Sequence, residues 1–220
     1  MDDKDLSLSE WIQYAFDHPV GKPAWYWEID APYWAGNPSR VAALIAETFE
    51  HSGDLLAGFS DAQLDQAFCF LVSSSCSEYM FALIDTAVPW SLRLRALRSM
   101  IPLFEQTMAV RCSPHLLHLD EPGANALNSS CYMWWDMIPI HGRPDMADRA
   151  AFDSEVLSVL RRILALPHDA CRESALHGLG HWQIYYHEAT QLIDDFLRIT
   201  PNLRVELVRY AESARRGHVN

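Results

Sequence analysis

No run of apolar residues in this 220-residue chain comes near the roughly 18–20 needed to cross a bilayer, so a membrane span is not expected. Glycine is scarce, at nine residues, which leaves little room for a glycine-rich phosphate loop. A G-x-S-x-G elbow, a P-loop, a dinucleotide fingerprint and a Cys-His catalytic signature are all missing. Nor is there a C-x-x-C pair among Cys69, Cys76, Cys112, Cys131 and Cys171. Their odd number, with the acidic and polar opening MDDKDLSLSE in place of a secretory signal, points to a reduced cytoplasmic protein with small buried thiols. Cys69 and Cys76, seven apart, suit one helix face.

Basic residues are also lacking, and unevenly so. Residues 1–80 hold 13 acids against three bases (Lys4, Lys22 and Arg40), whereas residues 81–220 hold 16 acids against 14 bases. Nearly all of the net charge of -12 therefore sits at one end. Phosphate backbones repel such a surface, which argues against nucleic-acid binding there and leaves solubility or a basic protein partner as its use. Half of the residues are hydrophobic, enough to fill a core and exclude wholesale disorder.

Helix signals dominate what is present. Ser7-Leu8-Ser9-Glu10 and Ser60-Asp61-Ala62-Gln63 read as capping boxes before apolar runs. Asn37-Pro38 places a cap before a proline at the first helical position, and Thr200-Pro201 reads as the same device. At 100° per residue, Ala96, Leu97, Met100, Ile101, Leu103, Phe104 and Met108 share one side, with Pro102 on the polar side, where a bend is expected. Val156, Val159, Leu160, Ile163, Leu164 and Leu166 form a second stripe behind Asp153, read as its cap. Alternation of period two is absent beyond a few residues. The fold class is therefore all-α, with on the order of ten helices.

A pattern of apolar helix, proline turn and second helix with an early arginine recurs at 81–100, 156–179 and, more loosely, 192–211. Such pairs bury their faces only by stacking. The segment Ala170-Cys-Arg-Glu-Ser-Ala-Leu-His-Gly-Leu-Gly180 resembles the second helix of a HEAT-type repeat, with Arg172, Ala175, Leu179 and Gly180 matching that pattern; the clear match covers residues 153–182. The resemblance implies stacked antiparallel helix pairs, an α-α superhelix, and a protein-binding surface. It implies no reaction. Residues 18–38 and 112–146, rich in proline, do not follow it. The expected organisation is one domain over 1–220, with an N-terminal cap (1–38), helical pairs (39–111), an irregular connection (112–146) and HEAT-like pairs (147–220).

Three constellations carry chemistry. On a wheel over 171–188, Glu173, His177 and His181 lie opposite an apolar arc of Cys171, Ala175, Gly178, Leu179, Trp182, Tyr185 and Tyr186. The histidines are therefore expected outside the main core. Their i, i+4 spacing can bring two imidazoles to one metal ion, with Glu173 as third ligand. A solvated or partner-facing stripe has the same pattern, and it is preferred here. Gly178, on the core arc, implies close approach of a neighbour, and Gly180, between faces, requires a second one. His115, His118, Asp120 and Glu121 cluster in a proline-flanked stretch, and Asp136 follows Trp134-Trp135, where burial would raise its pKa.

The third constellation is the aromatic, acidic segment at the N-terminal end. Trp25, Trp27, Glu28, Asp30, Tyr33 and Trp34 read either as a cap over the open end of the stack or as partner-binding anchors, on which an arginine-rich protein can stack and pair. The sequence thus points to a non-catalytic protein–protein interaction protein with a basic partner and no cofactor. The alternative is a metal-dependent enzyme built on Glu173, His177 and His181.

Overall fold

A computed structural model describes residues 5–219, and among these every regular element is helical, with no strand. The all-α expectation is met. Contacts group the chain into two compact units, residues 1–107 with 137–139 and residues 108–136 with 140–220.

The first unit is organised around α2. Helix α1 (Leu8–Phe16) starts at the expected capping box, with Ser7 N–H donating to Glu10 at 2.8 Å and Glu10 N–H to the Ser7 hydroxyl at 3.3 Å. Helix α2 (Pro38–Glu50) starts at Asn37 with proline in its first turn and buries Val41, Leu44, Ile45 and Phe49. It ends at Glu50 with His51 as its C-cap, just before Ser52-Gly53, and a short, separate α3 (Ser52–Leu55) follows. Helix α4 (Asp61–Val72) starts at the second capping box. Helix α2 packs on α1, on a 3-10 turn at Tyr79–Leu83, and on α5 (Trp90–Arg98) and α6 (Met100–Leu103).

The stretch expected to bend at Pro102 breaks at Ser99 instead. Ser99 caps the C-terminus of α5 and the N-terminus of α6. Pro102 then falls in the first turn of α6, where its missing N–H has no intrahelical partner to lose. A π-helical turn at Phe104–Met108 leads into α7 (Ala109–Arg111).

The second unit is built on α8 (Ala126–Met137, whose last residue groups with the first unit), α9 (Ala150–Leu164), α10 (Asp169–Trp182), α11 (His187–Ile199) and α12 (Val205–Ala214). Helix α10 packs against α9, α11 and α12. It is therefore covered on more than one side, and Ala170, Cys171, Glu173–Gly180 and Trp182 are all buried.

Two expected caps are not caps. Asp153 lies inside α9, fully buried, while Arg149 occupies the N-cap position. Thr200 closes α11, and α12 starts only at Val205, so Thr200-Pro201 ends one helix rather than opening the next.

Candidate functional site

In the first unit the aromatic segment divides. Trp25 and Trp34 are buried. Trp25 stacks on His18 (3.7 Å between ring centroids, 11° between planes) and lies 4.6 Å from Phe70. Trp34 meets Trp11 edge-on at 5.8 Å. Its carbonyl accepts from the Tyr79 hydroxyl at 2.8 Å, and its N–H donates to the Tyr14 hydroxyl at 3.2 Å. These two tryptophans are core, so the expectation that they reach a partner directly is corrected. Trp27 and Tyr33 remain exposed, at 57% and 45%, and Glu28 and Asp30 are exposed beside them in sequence.

A cleft of about 410 Å³ opens in this unit against Tyr33, Trp34, Val41, Tyr79 and Phe81, with Glu78 and Asp85 in its lining. Tyr33 stacks on Tyr79 at 5.7 Å, which fixes one wall. The cleft thus combines aromatic faces with two carboxylates, neither of which has an ion-pair partner among the described residues. The Asp85 carboxylate accepts a local backbone bond, from Ala87 N–H at 2.8 Å.

In the second unit, α8 and α10 bring Asp136, His177 and His181 together, with their ligand atoms within 4.8 Å of one another. His177 Nε2 is 2.9 Å from Asp136 Oδ2 and 3.1 Å from His181 Nε2. His181 Nε2 is 2.6 Å from Asp136 Oδ1. The Asp136 and His181 side chains are 28% and 43% exposed. His177 is buried, contrary to the wheel, because α12 covers the face that the wheel left to solvent. Its Nδ1 lies 2.6 Å from the Tyr210 hydroxyl, which in turn donates to Tyr132 at 3.2 Å. Burial, then the Tyr132 hydrogen bond, push the Tyr210 hydroxyl well up, so it stays protonated.

The Asp136 carboxyl shifts opposite to the expectation for a carboxylate among aromatics. Burial raises its pKa, but hydrogen bonds from both histidines outweigh this and hold it well below the usual carboxylate range. Beside it a cleft of about 260 Å³ is lined by Trp135, Asp136, Ile140, His141, His181, Trp182 and Tyr185.

Glu173 is not in this centre. Its buried carboxylate accepts from Leu117 N–H (2.8 Å), from His118 N–H (3.0 Å) and contacts His118 Nδ1 at 2.5 Å. It anchors the backbone at Leu117 and His118, and His118 stacks on Tyr210 at 4.2 Å. The proposed third ligand is therefore replaced by Asp136, which is 41 residues from His177 in the chain and which no spacing rule joins to it.

The 115–121 cluster does not converge either. His118 goes to Glu173, while Glu121 pairs with Arg204 and accepts from Leu116 N–H at 2.9 Å. All five cysteines are free thiols; Cys112, Cys131 and Cys171 are buried, and Cys69 and Cys76 lie 3.9 Å apart. No family model, curated protein or solved structure matches this chain, so its site residues stand on their own geometry.

Proposed function

We propose that the chain is a non-catalytic protein-interaction protein whose N-terminal unit receives a basic segment of another protein. The observation that carries this reading is the aromatic, acidic cleft at Tyr33, Phe81, Glu78 and Asp85. A guanidinium stacked on an exposed ring while paired with a carboxylate gains from both contacts, and Arg is the cation suited to both. The excess of acids in residues 1–80 steers such a partner inward. On this reading the helix pairs, HEAT-like at α9 and α10, are scaffold, the setting is cytoplasmic, and exposed Trp27 with Glu28 and Asp30 extends the contact.

The test is affinity capture from the native lysate at low salt, comparing wild type with a Tyr33→Ala, Glu78→Gln, Asp85→Asn variant. A basic protein retained by the wild type, released by salt and lost by the variant supports the reading. Capture of nothing, or capture that the variant retains in full, overturns it. A second reading, metal-dependent chemistry, is favoured by the meeting of Asp136 with His177 and His181.

A further inference from the structure

We propose that Asp136, His177 and His181 form a binding site for one borderline divalent transition-metal ion, of the zinc or cobalt class. The inference is independent of the interaction cleft, since it uses other residues.

The donor set is two imidazole nitrogens and one carboxylate, the combination preferred by such ions rather than by calcium or magnesium. The three groups come from two helices and point their donor atoms at one spot. Hydrogen-bond accounting at His177 shows what that spot needs. The Tyr210 hydroxyl hydrogen goes to Tyr132, so Tyr210 takes the His177 Nδ1–H. Nε2 then faces the Asp136 carboxylate and the His181 ring nitrogen with a lone pair or with a second proton. In that tautomer a proton or a metal ion fits between these atoms.

The surroundings favour the metal. A metal-bound histidine characteristically donates its other N–H to an oxygen acceptor, which fixes its tautomer and orientation; the buried Tyr210–Tyr132 pair does this for His177. Ligand atoms about 2.0–2.1 Å from a tetrahedral ion stand about 3.3 Å apart. The present separations of 2.6, 2.9 and 3.1 Å fall short of this by less than an ångström. Asp136 and His181, both partly exposed, can open by that amount. The cleft beside Asp136 and His181 supplies an entry path, and three protein ligands leave a fourth position for solvent or a substrate oxygen.

The experiment is calorimetric titration of zinc chloride into the full chain after treatment with EDTA and desalting. His181→Ala and Asp136→Asn are titrated in parallel, with far-UV circular dichroism showing that each is folded. Both positions are partly exposed, so neither change empties the core. One ion per chain is expected in the wild type, with affinity lowered by about 100-fold or more in each variant, at or beyond the 10–100-fold that loss of an outer-shell partner costs. Absence of binding up to about 0.1 mM zinc overturns the site. So does a smaller loss in either variant, which would place the ion on other donors such as the buried thiols.

Discussion

His177 and Asp136 meet at 2.9 Å, although one is buried on α10 and the other stands in the last turn of α8. The contact satisfies a ring nitrogen that the core cannot solvate. Asp136→Ala removes it and leaves His177 with His181 alone on that side. A loss of about 1–3 kcal/mol is expected, because a buried polar group forfeits its partner. Urea denaturation with far-UV detection measures it; a midpoint unchanged from wild type would show that the contact contributes nothing.

Glu173 is more deeply committed. Its carboxylate takes two backbone N–H groups and a histidine ring with no compensating solvent. Glu173→Ala is expected to cost about 3 kcal/mol or more and to free the backbone at Leu117 and His118. Thermal unfolding and amide exchange at Leu117 and His118 read the two effects, and exchange left at the wild-type rate would contradict the anchoring role.

Gly178 and Gly180 answer a question posed by the sequence. A Cβ on Gly178 would stand 2.7 Å from Trp135 Cγ and 2.8 Å from Leu160 Cδ2, and one on Gly180 would stand 2.5 Å from a Val219 methyl carbon. Replacing a helical glycine by alanine gains about 1 kcal/mol of propensity. At Gly178 the packed ring and leucine cannot yield cheaply, and overpacking of about 1–3 kcal/mol wins. At Gly180 the close contacts under 3 Å are the two methyls of one valine, a smaller obstacle than a ring and a leucine together, with Ala214 Cα at 3.3 Å. Gly178→Ala is therefore expected to lower the melting temperature more than Gly180→Ala does, and the reverse order would refute the packing account.

Glu121 supplies the pH dependence. Hydrogen bonding to Arg204, then to Leu116 N–H, holds its carboxyl below the usual range. A depressed folded value contributes stability that is present above the unfolded carboxylate value, about 4.3, and is lost as pH falls through the folded one. The Glu121→Gln variant should thus be less stable than wild type near pH 7, by about 0.5–1 kcal/mol for a partly exposed pair. The gap should close between about pH 4 and the depressed value. A gap that persists unchanged at pH 2 would mean that the carboxylate is not its source.

The tryptophans of the N-terminal segment separate cleanly. Trp25→Ala empties a site walled by His18 and Phe70 and is expected to cost about 3–5 kcal/mol. Trp27→Ala, at an exposed ring, should stay within about 0.5 kcal/mol of wild type. Chemical denaturation of the two variants side by side tests this, and equal losses would place Trp27 in the core.

What the chain determined by itself was local. Capping boxes at Ser7 and Ser60, the Asn37-Pro38 start and the apolar periods are set by residues within a turn or two of one another, so the helices and the all-α class could be read from them. Asp153 and Thr200 show the limit: each has cap chemistry, yet burial beside Tyr186 and Arg149 claimed the first and the end of α11 claimed the second. The histidine spacing was equally legible, because i, i+4 is a property of one helix. Tertiary packing alone decided that α12 would cover His177, that Glu173 would turn to the backbone of Leu117 and His118, and that Asp136 would be the carboxylate to arrive. A helical wheel knows only its own axis, whereas burial and ligand convergence depend on which other helices close over each face.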